Sequence, residues 1–308
     1  MSEKISCARA SAALAEPVAA TAAVARTWLL IEQAGPWGAK ALKSSHLDPE
    51  VGRALERLAD GTGVRVALIR RTGRHADLHR PARRRVIIAH TAPDDPWIRT
   101  ASLADPAELT ALDFAALGAG SHGGFGTAYD GPPIALVCTN GRRDQCCAVY
   151  GRPLADELTR SGGHDVWEVT HLGGHRFAPT MLVLPHGYAY GRVNGHHAKD
   201  ILEAAASGLV VLAGCRGRSA WERPGQAAEL AVRSLTGEER ADALAVGPAE
   251  PRGGDHWTVP VTHRDGRVWE VAVTRSAAQP PRPESCGAAL GTPARLDVTS
   301  VEQVAGAA

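Results

Sequence analysis

"PPIALVCTNGRRDQCCAVYGRPLADELTRSGGHDVWEVTH", residues 132–171, decides how this chain folds. It opens with an apolar run, 132–138, that reads as a buried strand ending at Cys138. A helix follows over 152–163, with Pro153 in its first turn and glycines at its end. "DVWEVTH" (165–171) is the next strand. Downstream, "TMLVLPHGYAYGRV" (180–193) reads as a hairpin turning at Pro185 and Gly187, and "HHAKDILEAAASG" (196–208) as another helix.

Strand, helix, strand, long loop, hairpin, helix is the order of a thioredoxin-like domain, which places that domain at 129–214. The proline before the third strand is often cis in that fold, so a cis peptide is expected at Pro179. Upstream, the strands 25–33, 64–71 and 84–90 and a helix over 48–60 capped by Asp48 make an N-terminal α/β unit. It spans 1–128 and ends in the glycine-rich "GAGSHGGFG" (118–126). That stretch contains G-x-G-x-x-G at Gly118, Gly120 and Gly123. A dinucleotide site needs a strand before it and a helix after it. Here helical "PAELTALDFAAL" (106–117) precedes and a strand follows, so it is a linker. The segment 215–308 holds two helical patterns, 224–235 and 237–246, a hairpin over 257–274 around Asp265-Gly266, and a last strand at 295–301. The expected class is therefore α/β (α+β), a thioredoxin-like domain flanked by an N-terminal α/β unit and a small C-terminal α+β extension.

Thirty-four Lys and Arg against 33 Asp and Glu leave a net charge of +1. That balance calls for neither nucleic acid nor an anionic membrane. No window approaches the ~20 apolar residues of a membrane span. Glu3, Glu16 and Pro17 interrupt what would be an export signal, so the first 25 residues read as a helix or an arm. Six cysteines in 308 residues are too few for a disulfide scaffold, and the expected location is cytoplasmic. A basic loop (Arg70, Arg71, Arg74, His75, His79, Arg80, Arg83, Arg84, Arg85) is either a solvated connection or a docking patch for an acidic redox partner.

Two groups of ligand-type residues stand in loops of the thioredoxin-like segment: Cys138-x8-Cys147, and His171-x3-His175 in "THLGGHRF". Gly173 and Gly174 between the histidines let the backbone turn tightly against a bulky group. Two thiolates and two imidazoles suit either a tetrahedral Cys2His2 zinc ion or a [2Fe–2S] cluster with two histidines on one iron. Zinc sites usually draw pairs from short C-x2–4-C turns, whereas an eight-residue gap makes a wide loop suited to a larger group. Cys146 would face away from Cys147 in an extended segment and reads as a small buried thiol. Arg142 and Arg143 can screen negative charge, and Asp144 can cap the following turn. Cys7, Cys215 and Cys286 show no partner pattern and are expected to be inert. His164, His186 and the pair His196-His197 read as ordinary turn and helix-start residues. No carboxylate pair marks a glycosidase.

"CTNGRRDQCC", "GRPLA", "HLGGHRFAPTMLVLPHGYAYGRV" and "CRGRS" together resemble the sucrase/ferredoxin-like family over roughly 132–220. The resemblance implies a thioredoxin-like ferredoxin domain with a bis-histidinyl [2Fe–2S] cluster on Cys138, Cys147, His171 and His175. It implies an electron carrier rather than a substrate-converting enzyme, serving an unidentified reductase or acceptor protein. Electron transfer would be proton-coupled through the ligand histidines, with a midpoint potential that falls as pH rises. The alternatives are a thiol-based oxidoreductase using Cys138, Cys146 or Cys147, and a Cys2His2 zinc module for structure or interaction.

Overall fold

The computed structural model describes residues 6–73 and 82–305. Arg74, His75, His79 and Arg80 of the basic loop lie outside them. Two sheets organise the chain. The elements in order are α1 (Cys7–Ala13), β1 (Thr27–Glu32), α2 (Ala41–Ser44), α3 (Pro49–Ala59), β2 (Val64–Arg70), β3 (Arg84–His90), β4 (Trp97–Leu103), α4 (Phe114–Gly118), β5 (Thr127–Ala128), β6 (Ile134–Cys138), α5 (Gln145–Ser161) and β7 (Asp165–Val169). Then come β8 (Thr180–Leu184), β9 (Tyr188–Gly191), α6 (Gly195–Ala206), β10 (Cys215–Arg218), α7 (Arg223–Thr236), β11 (Leu244–Val246), β12 (Glu250–Pro251), β13 (His256–His263), β14 (Val268–Ala277) and β15 (Ala294–Ala305).

The larger sheet has ten strands in the order β10-β9-β8-β6-β7-β2-β1-β3-β4-β5. Only β1/β2 and β6/β7 run parallel within it. The quartet β9-β8-β6-β7, crossed over by α5, has the arrangement expected of the thioredoxin-like unit, and the Ala178–Pro179 peptide is cis. Strands β1, β6 and β8 are nearly continuous apolar runs because both faces are covered. Leu154, Leu158, Ile201 and Leu202 of α5 and α6 pack with Ala135, Val137, Met181 and Val183 on one face. The second, antiparallel sheet follows β11-β13-β14-β15, with β12 beside β13, and packs against α7.

The sheet does not stop at the edge of the 129–214 segment. β2 pairs with β7 through Ile69↔Val169 and Arg70↔Glu168. The buried Arg70–Glu168 ion pair, at 2.7 Å, lies across this seam, and Thr139 donates to the same carboxylate at 2.7 Å. Arg71 lies over the Trp167 ring at 3.6 Å and pairs with Asp165 at 2.6 Å. Two arginines of the basic stretch are therefore engaged within the fold.

Two helix boundaries differ from expectation. α5 begins at Gln145, not 152, and Pro153 sits inside it. A proline there removes only the bond to the carbonyl of Val149. Val149 is 52 % exposed, so water can serve that group. The stretch 237–246 is not helical: Gly237 ends α7 in the left-handed region, and Leu244–Val246 pair with Val261–His263 instead. Among the described residues, no helix is long and apolar enough to cross a membrane.

Candidate metal centre

Cys138 ends β6 and Cys147 lies in the first turn of α5, both 1 % exposed. Asp144 starts that helix as its cap, accepting the Cys146 N–H at 2.9 Å. Gly151, one turn after Cys147, lies so close to β6 that an added Cβ would overlap the carbonyl oxygen of Cys138. This contact holds the start of α5 against the end of β6, and with it Cys147 against Cys138 in one buried cluster.

His171 and His175 close the other side. Their rings stack at 4.8 Å between centroids and 28° between planes, and Cys147 Sγ is 3.5 Å from His175 Nδ1. Cys147, His175 and His171 thus stand together, and Cys138 shares a buried core cluster with Cys147. His171 Nδ1 is buried and has no hydrogen-bond partner, a costly arrangement unless something else binds it. Gly173 and Gly174 both have φ above +70°, as the tight turn required. A side chain at Gly174 would overlap the guanidinium of Arg216.

Two arginines that the sequence did not single out hold this loop. Arg216, fully buried, donates to Gly173 O at 3.0 Å and to Thr21 Oγ1 at 3.0 Å. Arg65 donates to His171 O at 3.1 Å. Arg216 lies in the "CRGRS" stretch, but nothing in the sequence pointed it at the histidines. Arg142 and Arg143 are exposed.

Burial, then the neighbouring imidazole and Arg65, push His171 down to about 3. Burial also lowers His175. Both rings are therefore neutral at ordinary pH, with lone pairs free for a ligand. The neighbouring Cys147 thiol brings Cys138 to about 7, and Cys138 in turn raises Cys147 well above the usual thiol range. Cys138 is thus the more acidic thiol of the pair. A cleft of about 510 Å³ opens beside His171, with Lys40, Arg65, Asn140 and Arg143 in its wall.

A second group was not foreseen. Ligand atoms of Cys7, Asp144, Cys146 and Cys286 all lie within 4.8 Å of one another and can hold a metal ion. Cys7 and Cys286, expected to be inert, are therefore neither isolated nor without partners. They are 279 residues apart, and no local pattern joins them. Cys146 turns away from Cys147 as expected, but for a different reason. The pair sits on a helix, where successive residues point about 100° apart, rather than on an extended segment. The hydrogen bond from Cys7 lowers Cys146 to about 6, and the converse raises Cys7. Burial foremost raises Cys286. All six cysteines are free. Cys215 does fit its expected inertness, buried and pushed up to about 12 by desolvation.

Glu16 ties the arms that bring these groups together. Its carboxylate meets Arg176 at 2.8 Å and Arg282 at 2.9 Å, and Arg176 also reaches Glu284 at 3.1 Å. Burial alone would raise Glu16, but the bonds from Arg282, Ser11 and Arg176 outweigh it and hold the carboxyl below its ordinary value. This stabilisation is present above the unfolded-state pKa and is lost as pH falls through the lower folded one. Glu16→Gln should cost about 2 kcal/mol at neutral pH, a few degrees in Tm. The difference from wild type should shrink as pH falls below about 4. A pH-independent difference in thermal scans would remove the ionic role of Glu16.

The family model described as sucrase/ferredoxin-like matches residues 18–217. No curated protein and no solved structure matches the chain.

Proposed function

The chain belongs to the sucrase/ferredoxin-like family, and from that premise we propose that it is a one-electron carrier whose [2Fe–2S] cluster is held by Cys138, Cys147, His171 and His175. The carrying observation is Cys147 standing against the stacked His171 and His175 pair, with His171 Nδ1 buried and unpartnered. Such a cluster would supply a reversible one-electron step, at a potential raised by its two neutral ligands.

The chain's own residues orient the donors and set the charge around them. Gly151 fixes the approach of α5 to β6, and Arg65 and Arg216 hold the histidine loop while placing positive charge near it. The cleft walled by Lys40, Arg65 and Arg143 is the natural approach for an acidic redox partner, reductase or acceptor. The cysteine side is sealed in the core, so contact with a partner runs through the histidine edge.

One distance favours a second reading. The 3.5 Å between Cys147 Sγ and His175 Nδ1 equals the edge of a zinc tetrahedron, about 3.5 Å for ordinary Zn–S and Zn–N bonds. Anaerobic purification with metal and sulfide analysis separates the two. Equal iron and sulfide, a red-brown colour and a reduced-state EPR spectrum of low average g support the cluster. Zinc at this site without sulfide would sink it.

Arg65→Gln should retain the iron and lower the midpoint potential by on the order of tens of mV, because a nearby cation favours the reduced state. Redox titration checks this; a rise in potential would contradict the assigned role of Arg65.

A further inference from the structure

We propose that Cys7, Asp144, Cys146 and Cys286 form a second metal site, holding one tetrahedral zinc ion that fastens the N-terminal arm and the C-terminal strap to the start of α5. The site shares no donor with the cluster proposed above, so either assignment can fail alone.

Distances point to a single ion. Cys7 Sγ is 3.6 Å from both Cys146 Sγ and Cys286 Sγ, and those two are 3.2 Å apart. Asp144 Oδ1 and Oδ2 are each 3.8 Å from Cys7 Sγ. Around zinc, with Zn–S near 2.3 Å, sulfur–sulfur edges come to about 3.8 Å and sulfur–oxygen edges to about 3.5 Å. A cluster of two or more irons would hold ligands of different irons farther apart than these atoms stand. Three thiols exclude magnesium and calcium, which take oxygen ligands.

The surroundings match a closed, structural site. Cys7, Asp144 and Cys146 are buried, so four protein ligands leave no open position for substrate. Both carboxylate oxygens of Asp144 are oriented by backbone donors, Cys146 N–H at 2.9 Å and Cys286 N–H at 2.8 Å. Outer contacts of this kind fix metal ligands in place. Two of the three ligand-bearing segments, the arm and the strap, are also joined by the Glu16–Arg282 ion pair, so a bound ion adds a second fastening between them and ties both to α5.

The test is metal analysis of the full-length, cluster-loaded protein after passage over chelating resin. One zinc per chain is expected in wild type. Cys286→Ser, a change at the half-exposed ligand, should lose that zinc and keep its iron and sulfide. His171→Ala should do the reverse. If Cys286→Ser fails to fold, Co²⁺ uptake by the wild type decides: one equivalent giving the visible bands of tetrahedral, thiolate-bound cobalt supports the site. Zinc retained in folded Cys286→Ser overturns the proposal. So does wild type that carries no zinc and takes up no cobalt, or a Cys146–Cys286 disulfide in protein alkylated at lysis.

Discussion

Exchanging His171 for cysteine is expected to keep the cluster in place and lower its midpoint potential by about 100–300 mV. Cysteine can still ligate iron, but it replaces a neutral imidazole with a thiolate. The added negative charge stabilises the oxidised state. Rieske-type sites span about −150 to +300 mV against roughly −400 mV for all-cysteine plant-type clusters, and one substitution covers part of that gap. His175→Cys should act in the same direction. Its sulfur would lie nearer Cys147, whose Sγ is now 3.5 Å from the imidazole. Protein-film voltammetry reads the shift directly. A variant with full iron content and an unchanged potential would show that the exchanged histidine is not a ligand.

Gly151→Ala has the second large effect, and its sign separates local from tertiary control. Within a helix, alanine is favoured over glycine by roughly 1 kcal/mol. At Gly151 the new methyl group would meet the carbonyl of Cys138, a backbone atom inside a buried strand. α5 must then move away from β6, at a net cost of about 3 kcal/mol. The displacement also parts Cys138 from Cys147, so iron occupancy should drop with Tm. Chemical denaturation and iron analysis measure both. A variant as stable as wild type, or more so, would mean that the spacing of the two cysteines is not set here.

The individual strands were legible because buried apolar runs such as "TWLLIE" and "IALVC" have few other uses. The placing of Cys147 against His171 and His175 was legible too, since each pair is local in sequence and carried by a loop of fixed length. What escaped was long-range. The β2–β7 seam rests on two residue pairs about a hundred positions apart, and no periodicity announces it. Cys7, Asp144, Cys146 and Cys286 meet only because an arm and a strap fold over the start of α5. Pro153 misplaced the start of that helix, because proline usually marks a first turn and here stands where a solvated carbonyl tolerates it. The 237–246 segment shows the converse error. Its alanines and leucine suit a helix, but Leu244 and its neighbours gain more by extending the second sheet.

The burial asymmetry of the four proposed ligands has a consequence for traffic. Cys138 and Cys147 are sealed at 1 % exposure, while His171 and His175 are half-buried at the cleft side. A cluster held as proposed would have one doorway and would not be a wire with donor and acceptor attached at opposite ends. Its two proposed partners would then call at the same threshold in turn, each leaving before the other docks. Turnover then depends on how quickly they exchange, and a donor that binds too tightly would inhibit its own acceptor.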